Sequence, residues 1–284
     1  MIDILLATYN GEKYLADQID SIIKQTNKNW KLIIHDDGST DNTIKIIKNY
    51  QNKFPEQIVF IEDGIYFRNC ARNFMHLLKK SSSEYIMFCD QDDVWIPEKI
   101  TLSFNKMKEL EIAYGADTPL LVHTDLIVVD EKLDIIAESM WKSQRLYLDA
   151  VKNPCLLLVH NVVTGNTIIM NSIARNVSKD MPEDFPVHDW WVAIKVSESG
   201  IIEHLAKKTI FYRQHATNLI GTKTVFSDSI KLLIISYFRH LRNNLIDIIK
   251  RRKYSNVKCS IYKLLALYVL TGYKRLFTIH NNPK

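Results

Sequence analysis

Cysteine is scarce and scattered in this chain of 284 residues, which holds four cysteines and no CxxC pair. Their spacing excludes a zinc finger and provides no disulfide framework, so we expect free thiols in a reducing compartment. No apolar run reaches the roughly 18 residues that a membrane-spanning helix needs. A signal peptide is not indicated by the first residues, MIDILLATYN, which lack a basic leader and a cleavage site. We therefore expect a cytoplasmic protein.

Internal repeats and low-complexity segments are also missing, and 46% hydrophobic with 24% charged residues is typical of a folded globular chain. The net charge of +5 is unevenly distributed. Residues 225–284 contain twelve Lys and Arg against two Asp, whereas the remainder is acidic. We expect a main domain over residues 1–224 and a basic, amphipathic helical tail over residues 225–284.

The tail has two interpretations. Its apolar and basic helical faces would suit an anionic membrane surface, here the inner face of the cell membrane. They would equally suit a helical hairpin packed on its own domain or on a second copy of the chain. The sequence leaves both open.

The first half alternates short apolar runs with amphipathic segments of helical length, which predicts an α/β fold with a mostly parallel sheet flanked by helices. We expect four strands here and a fifth that extends through residue 129. The four predicted strands cover residues 2–7, 31–35, 57–61 and 85–89.

Polar clusters follow three of these strands, at the points where each strand ends. Ligands of such sheets bind at the carboxyl ends of the strands, so the clusters should meet at one edge. Their members are Thr8, Tyr9 and Asn10, then Asp36 and Asp37, then Asp90, Asp92 and Asp93.

The last cluster places three carboxylates within four residues. Charges this close repel one another, and carboxylate oxygens suit hard cations such as Mg²⁺ or Mn²⁺. Taken alone, such a cluster is more often a solvated turn or a helix cap ahead of Pro97. The DDGSTD segment from Asp36 is likewise either a capped turn or a carboxylate that accepts the ring N–H of uracil or thymine.

Residues 7–11 (ATYNG), 35–41 (HDDGSTD) and 90–93 (DQDD), in this order and spacing, resemble family 2 glycosyltransferases. The resemblance covers about residues 1–220 and implies the inverting GT-A nucleotide-sugar-binding fold, here with an α-helical C-terminal extension. The DQDDVW, HTD, TGN, HDWW and YRQHATN segments are similar to the bacterial rhamnosyltransferase subgroup.

The resemblance implies a role for each matching residue. Asp90, Asp92, Asp93 and His215 would bind Mn²⁺ or Mg²⁺ together with the donor diphosphate. The donor nucleotide would contact Thr8, Tyr9, Asn10, Asp36 or its neighbour Asp37, Arg72 and Asp90.

Asp189 matches the catalytic base of the family, and flanking tryptophans would raise its pKa by desolvation. The alternative is an aspartate that only caps a helix. The acceptor or the sugar would contact Gly165, His188, Trp190 and Trp191.

Processive members carry a QxxRW motif where this chain has YRQHATN, so we expect transfer of a single sugar. By resemblance the donor is dTDP-rhamnose, and the acceptor is a hydroxyl of a cell-surface glycan or a lipid-linked precursor. Another UDP- or dTDP-hexose is the alternative within this class, and a noncatalytic nucleotide-sugar-binding module is the alternative outside it. A nucleotidyltransferase would need a glycine- and arginine-rich phosphate loop, and the acidic main domain argues against a nucleic-acid partner.

Overall fold

The computed structural model describes residues 1–215 and 241–277. Within these residues one sheet contains nine strands. They are β1 (Ile2–Thr8), β2 (Trp30–Asp36), β3 (Ile58–Ile61), β4 (Tyr85–Cys89), β5 (Val94–Trp95), β6 (Leu120–Val129), β7 (Ile135–Ala137), β8 (Ile169–Asn171) and β9 (Ile201–Arg213).

Ten α-helices lie in the same described residues, together with short 3₁₀ turns at Leu148–Lys152 and Gly165–Thr167. The helices are α1 (Leu15–Ile23), α2 (Thr43–Lys53), α3 (Cys70–Lys80), α4 (Lys99–Tyr114), α5 (Met140–Ser143), α6 (Pro154–Leu157), α7 (Ser172–Ser178), α8 (His188–Ser197), α9 (Leu241–Tyr254) and α10 (Ile261–Phe277).

The sheet runs in the order β3-β2-β1-β4-β8-β6-β9-β5, with β7 paired to β6. The first four strands are parallel, as the sequence predicts. Beyond β4 the sheet is mixed, because β8 is antiparallel to both β4 and β6, whereas β6 and β9 are parallel. The parallel ladders are long and the antiparallel ones are short, so the α/β class and the mostly parallel sheet are confirmed, and the second half adds short antiparallel strands.

Both faces of the sheet are covered, which explains why the first strands are mostly apolar on both faces. Alternate residues of β1 enter different cores, since side chains of a strand alternate between faces. Ile4 packs with Ile19 of α1, on the face that α2 and α4 also cover. Leu5 packs with Phe74 of α3, on the face that α8 also covers.

The C-terminal helices pack on the second of these faces. Ile248 of α9 and Leu264 of α10 are fully buried in the same core as Leu5. Arg251 is also buried, and its Nε donates to the Leu158 carbonyl at 2.8 Å. Over residues 244–271 the tail thus packs on its own domain. The predicted boundary at 224/225 and the first part of the predicted amphipathic tail lie outside the described residues.

The length and hydropathy of each helix bear on membrane association. Among the described residues, no helix is both long and apolar enough to span a bilayer.

Two adjacent isoleucines of α9 test this packing. Ile248 is fully buried, whereas Ile249 is 54% exposed. We expect Ile248→Ala to lower the free energy of unfolding by about 2–5 kcal/mol, through lost burial and the cavity left behind. Ile249→Ala should change it by less than about 0.5 kcal/mol. Urea denaturation of the full chain measures both, and equal effects would contradict docking of the helix.

Candidate active site

The first cluster joins the ends of β1 and β2, where Thr8 and Asp36 are paired in register. The hydroxyl of Thr8 donates to Oδ2 of Asp36 at 2.8 Å, and Ser39 Oγ donates to the same oxygen at 2.6 Å. Oδ1 accepts the backbone N–H groups of Gly38 and Ser39, at 3.1 and 2.7 Å. Gly38 has a φ of +85°, which a residue with a Cβ rarely adopts. With two donors on each oxygen, Asp36 is saturated and holds the turn.

Asp37 is engaged differently. Its Oδ1 accepts the Phe67 backbone N–H at 2.5 Å and its Oδ2 accepts that of Asn69 at 2.8 Å. One acceptor position therefore remains on each oxygen. Asp37 thus fixes the segment after β3 and keeps capacity for a further donor.

Tyr9 lies at the exposed edge of the site, with 46% of its surface accessible. Its backbone is bound at both ends by the Gln91 side chain, which accepts from the Tyr9 N–H and donates to the Tyr9 carbonyl, each at 2.9 Å. Asn10 follows with a φ of +47°, and its Oδ1 accepts the Thr40 N–H at 2.8 Å. The loop after β1 is thereby held to the loops after β2 and β4.

The carboxylates after β4 differ in their surroundings. Nε2 of His215 lies 2.8 Å from Oδ2 of Asp92. The pKa of Asp90 is raised well above its usual range. Burial is the largest cause, and the nearby charges of Asp92 and Asp189 add to it. The structure thus places His215 against Asp92, and Asp90 lies near enough to Asp92 for their charges to interact.

Asp93 lies behind them, fully buried. Its Oδ2 accepts from Asn166 Nδ2 at 2.5 Å, and its Oδ1 accepts the Arg213 backbone N–H at 3.1 Å. Burial, then the charges of Asp92 and Asp90, raise its pKa well above the usual range. Both carboxylate oxygens of Asp93 therefore accept hydrogen bonds from buried groups of the protein.

Arg213 connects this region to the rest of the edge. It is 3% exposed, and its guanidinium donates to the Asp92 carbonyl at 3.0 Å, the Glu131 carbonyl at 2.6 Å and Oδ2 of Asp17 at 3.0 Å. Bonds from one planar, permanently charged group to three segments give those segments a fixed relative position.

Asp189 lies in the first turn of α8. Oδ2 accepts the Gly165 backbone N–H at 3.1 Å, and Oδ1 lies 3.3 Å from Asn161 Nδ2, a donor. Burial raises its pKa to about 6, against the opposing effect of hydrogen bonds from Gly165, Trp190 and Asn161. A carboxylate with such a pKa is ionised at neutral pH and basic enough to accept a proton.

The residues beside Asp189 do not all face this site. Trp191 is 5% exposed and donates its indole N–H to the Ser178 carbonyl at 2.6 Å, so it belongs to the core. His188 is stacked on Phe74 at 4.2 Å and packs edge-on against Phe88. Both side chains are thus packed in the interior, and their contact with the sugar stays a prediction.

Two other predicted residues lie at the periphery. Trp190 is half-buried, donates to the Leu157 carbonyl at 2.5 Å and carries the Arg251 guanidinium 3.6 Å from its ring centroid. Arg72 is paired with Glu183 at 3.0 Å. The Trp190 side chain is thus held by Leu157 and Arg251, and that of Arg72 is held by the exposed Glu183.

The model of the family described as glycosyl transferase family 2 matches residues 3–119. A putative teichuronic acid biosynthesis glycosyltransferase, TuaG of Bacillus subtilis, is 30% identical over 62% of this chain and 68% of its own length. The chain belongs to glycosyltransferase family 2.

The dTDP-rhamnosyl transferase RfbG of Shigella flexneri is 27% identical over 80% of this chain and 78% of its own length. A solved mannosyltransferase from Pyrobaculum calidifontis, PcManGT in complex with GDP-Man and Mn²⁺, superposes with a TM-score of 0.59 at 15% identity. The superposition covers 96% of this chain and 69% of the mannosyltransferase. The protein is thus a glycosyltransferase with the GT-A fold.

Sequence reasoning missed the supporting residues of this family 2 site. Gln91 and Asn166 lie within the recognised DQDD and TGN segments, and Arg213 lies within YRQH. Each belonged to a quoted motif, but only contacts with distant segments reveal their function.

The Gln91 contact can be tested through Gly11, where an added Cβ would lie 2.4 Å from Gln91 Oε1. We expect Gly11→Ala and Gln91→Ala each to lower the free energy of unfolding by about 1 kcal/mol, because each breaks the side chain's bonds to Tyr9. In the double variant the loss should fall short of the sum by at least about 0.5 kcal/mol. Strict additivity in urea denaturation would show that the two residues do not act on one contact.

Proposed function

We propose that this glycosyltransferase moves one L-rhamnose from dTDP-rhamnose, with inversion, to a hydroxyl of a cell-surface glycan or a lipid-linked precursor. The likeness to RfbG, whose name specifies a dTDP-rhamnosyl transferase, supports the sugar. Another UDP- or dTDP-hexose is the second candidate. The observation that carries the proposal is the proximity of Asp189 to Asp90, beside the Asp92–His215 pair.

For the nucleoside we assign Tyr9 and Asp37. The exposed ring of Tyr9 offers a face on which a base stacks. Asp37 keeps one acceptor position on each oxygen, whereas the four positions of Asp36 are used. A thymine or uracil ring presents an N–H that a carboxylate accepts, so Asp37 is preferred over Asp36 as the base-reading group. Thr8, Asn10 and Asp36 then act by shaping the loops.

The donor set at the diphosphate fits a divalent cation. The carboxylates of Asp90 and Asp92 supply the oxygen ligands that Mn²⁺ and Mg²⁺ prefer in proteins, and the imidazole of His215 adds a nitrogen beside Asp92. The raised pKa of Asp90 reflects burial and repulsion that a cation would relieve. When bound, such an ion stabilises negative charge on the departing nucleoside diphosphate. Asp93 supports this loop from behind through Asn166 and Arg213.

The proton of the acceptor hydroxyl goes to Asp189. In an inverting transfer the hydroxyl attacks the anomeric carbon from the face opposite the nucleotide, and a carboxylate removes its proton as the bond forms. The bonds from Gly165 and Asn161 fix the Asp189 carboxylate, and burial holds its pKa at about 6. No covalent intermediate on the protein is required. Gly165 and Trp190 border the position where the acceptor would enter.

Turnover of a panel of UDP- and dTDP-sugars, with Mg²⁺ or Mn²⁺ added, tests the reaction and the donor. We expect dTDP-rhamnose to be consumed fastest and Asp189→Asn to lower kcat by about 10²–10⁴-fold, with donor affinity retained. The matched control is Asp180→Asn, at a surface carboxylate whose side chain is 76% exposed.

The pH profile of the unsubstituted enzyme adds a second readout. Since the base must be ionised, kcat at saturating donor and Mn²⁺ should fall as pH drops through about 6 and level off above it. Near-normal transfer by Asp189→Asn would remove Asp189 from this role. Faster turnover of a UDP-hexose would overturn the rhamnose assignment alone.

Metal dependence is tested separately with Asp92→Ala. We expect calorimetry to show tighter binding of the nucleoside diphosphate with Mn²⁺ than without it in the unsubstituted protein, and no such difference in the variant, because a ligand of the cation is lost. Asp117→Ala, at an exposed position before β6, should retain the full effect. A Mn²⁺ effect that survives in Asp92→Ala would refute the assignment.

A further inference from the structure

A second group of potential metal ligands lies outside this site, where β2, the segment after β3 and α3 meet. It consists of His35, Asp63 and His76, whose ligand atoms all lie within 4.8 Å of one another. His35 is 1% exposed, and the side chains of His76 and Asp63 are 12% and 23% exposed. The function proposed above makes no use of these three side chains.

The hydrogen bonds of Asn73 determine which nitrogen of His35 carries a proton. Asn73 Nδ2 donates to the backbone carbonyl of His35 at 3.2 Å, which turns Asn73 Oδ1 toward the imidazole. That oxygen lies 2.6 Å from Nδ1 of His35 and accepts a hydrogen bond from it, so Nδ1 carries the proton. In the neutral ring, Nε2 then presents a lone pair.

The lone pair of Nε2 faces an anion. Oδ1 of Asp63 lies 3.3 Å from His35 Nε2, and Oδ2 lies 2.8 Å from Nε2 of His76. A lone pair opposite a carboxylate oxygen is repulsive unless a proton or a metal ion lies between them. Burial favours the neutral, metal-binding state of an imidazole, and it lowers the pKa of His76.

We propose that His35, Asp63 and His76 bind a divalent transition metal of the Zn²⁺ class, at a site separate from that of Asp92. Two imidazole nitrogens and one carboxylate form a typical three-residue set for Zn²⁺, with the fourth position open to solvent. Asn73 supplies the outer hydrogen bond that orients a metal-bound histidine. A tetrahedral ion with bonds of about 2 Å needs the ligand atoms to close to roughly 3.3 Å, a small rotation of His76.

The local charges are compatible with a cation. Burial opposes ionisation of Asp63, but the neighbouring His76 and the Ile65 backbone N–H outweigh it and lower the pKa of Asp63 to about 2. The carboxylate is therefore charged over the whole neutral range. Lys80 approaches Oδ2 only to 3.6 Å and is 48% exposed, so it is able to swing away from the ion.

The position of the site gives the metal a structural task. The Asp63 segment leads directly to Phe67 and Asn69, whose backbone N–H groups bind Asp37. An ion at His35, Asp63 and His76 would tie this segment to the end of β2 and to α3 at one point. The segment lacks regular secondary structure between β3 and α3, so it gains most from such a link.

Zinc calorimetry on the full chain carrying Asp92→Asn tests the proposal, because that background weakens the other candidate site and makes the result independent of sugar transfer. We expect about one Zn²⁺ per chain, and a loss of more than 100-fold in affinity on adding His76→Gln, since removal of an outer-shell partner alone costs about 10–100-fold. Asp63→Asn, which preserves size, should have the same effect. His204→Gln, at a partly exposed histidine of β9, is the matched control.

Thermal unfolding supplies a second measurement. Zn²⁺ should raise the Tm of the Asp92→Asn chain and of its His204→Gln derivative, and it should leave the His76→Gln and Asp63→Asn derivatives unchanged. Absence of Zn²⁺ binding in the Asp92→Asn chain would overturn the proposal in favour of a protonated His35 paired with Asp63. Equal Zn²⁺ affinity with and without His76→Gln would overturn it as well.

Discussion

Repulsion between aspartate side chains is the main constraint on the edge of the sheet where the parallel strands end. The charges of Asp92 and Asp189 add to burial in raising the pKa of Asp90, and those of Asp92 and Asp90 add to burial in raising the pKa of Asp93. Such a cluster persists in a folded protein only where donors are fixed around it. Arg213 provides the main donor group, since its backbone reaches Asp93 and its guanidinium reaches the Asp92 carbonyl. The placement of His215, two residues farther along, follows from that anchoring.

The first half of the fold was predictable because its information is local. Runs buried on both faces predicted β1 to β4 to within a residue or two, and polar residues at strand ends predicted where Thr8, Asp36 and Asp90 would lie. The later strands were not predictable by the same reasoning. β9 carries Glu203, His204 and two adjacent lysines, so its 13 residues show no apolar run that would predict a strand.

Within the site, the limit was sequence separation. The Tyr9–Gln91 bonds join residues 82 positions apart, and the Asp93–Arg213 bond joins residues 120 positions apart. Periodicity and caps carry no information on such pairs. The same limit applies to the HDWW segment, whose burial the sequence did not predict. A helix presents successive residues in different directions, so Trp191 turns into the core that α7 and α8 share, while Asp189 faces Gly165.

The stacking of Arg251 on Trp190 has a consequence for exchanging parts between related enzymes. The guanidinium of Arg251, from α9, lies against Trp190, the residue that follows the candidate base Asp189. The Nε of Arg251 also donates to the Leu158 carbonyl. A chimaera that grafted the C-terminal segment of a relative onto this chain would therefore replace part of the lining beside the proposed acceptor entrance. To keep that lining intact, the graft would have to preserve a guanidinium at position 251 or take Trp190 and the α6 turn along with the new helix.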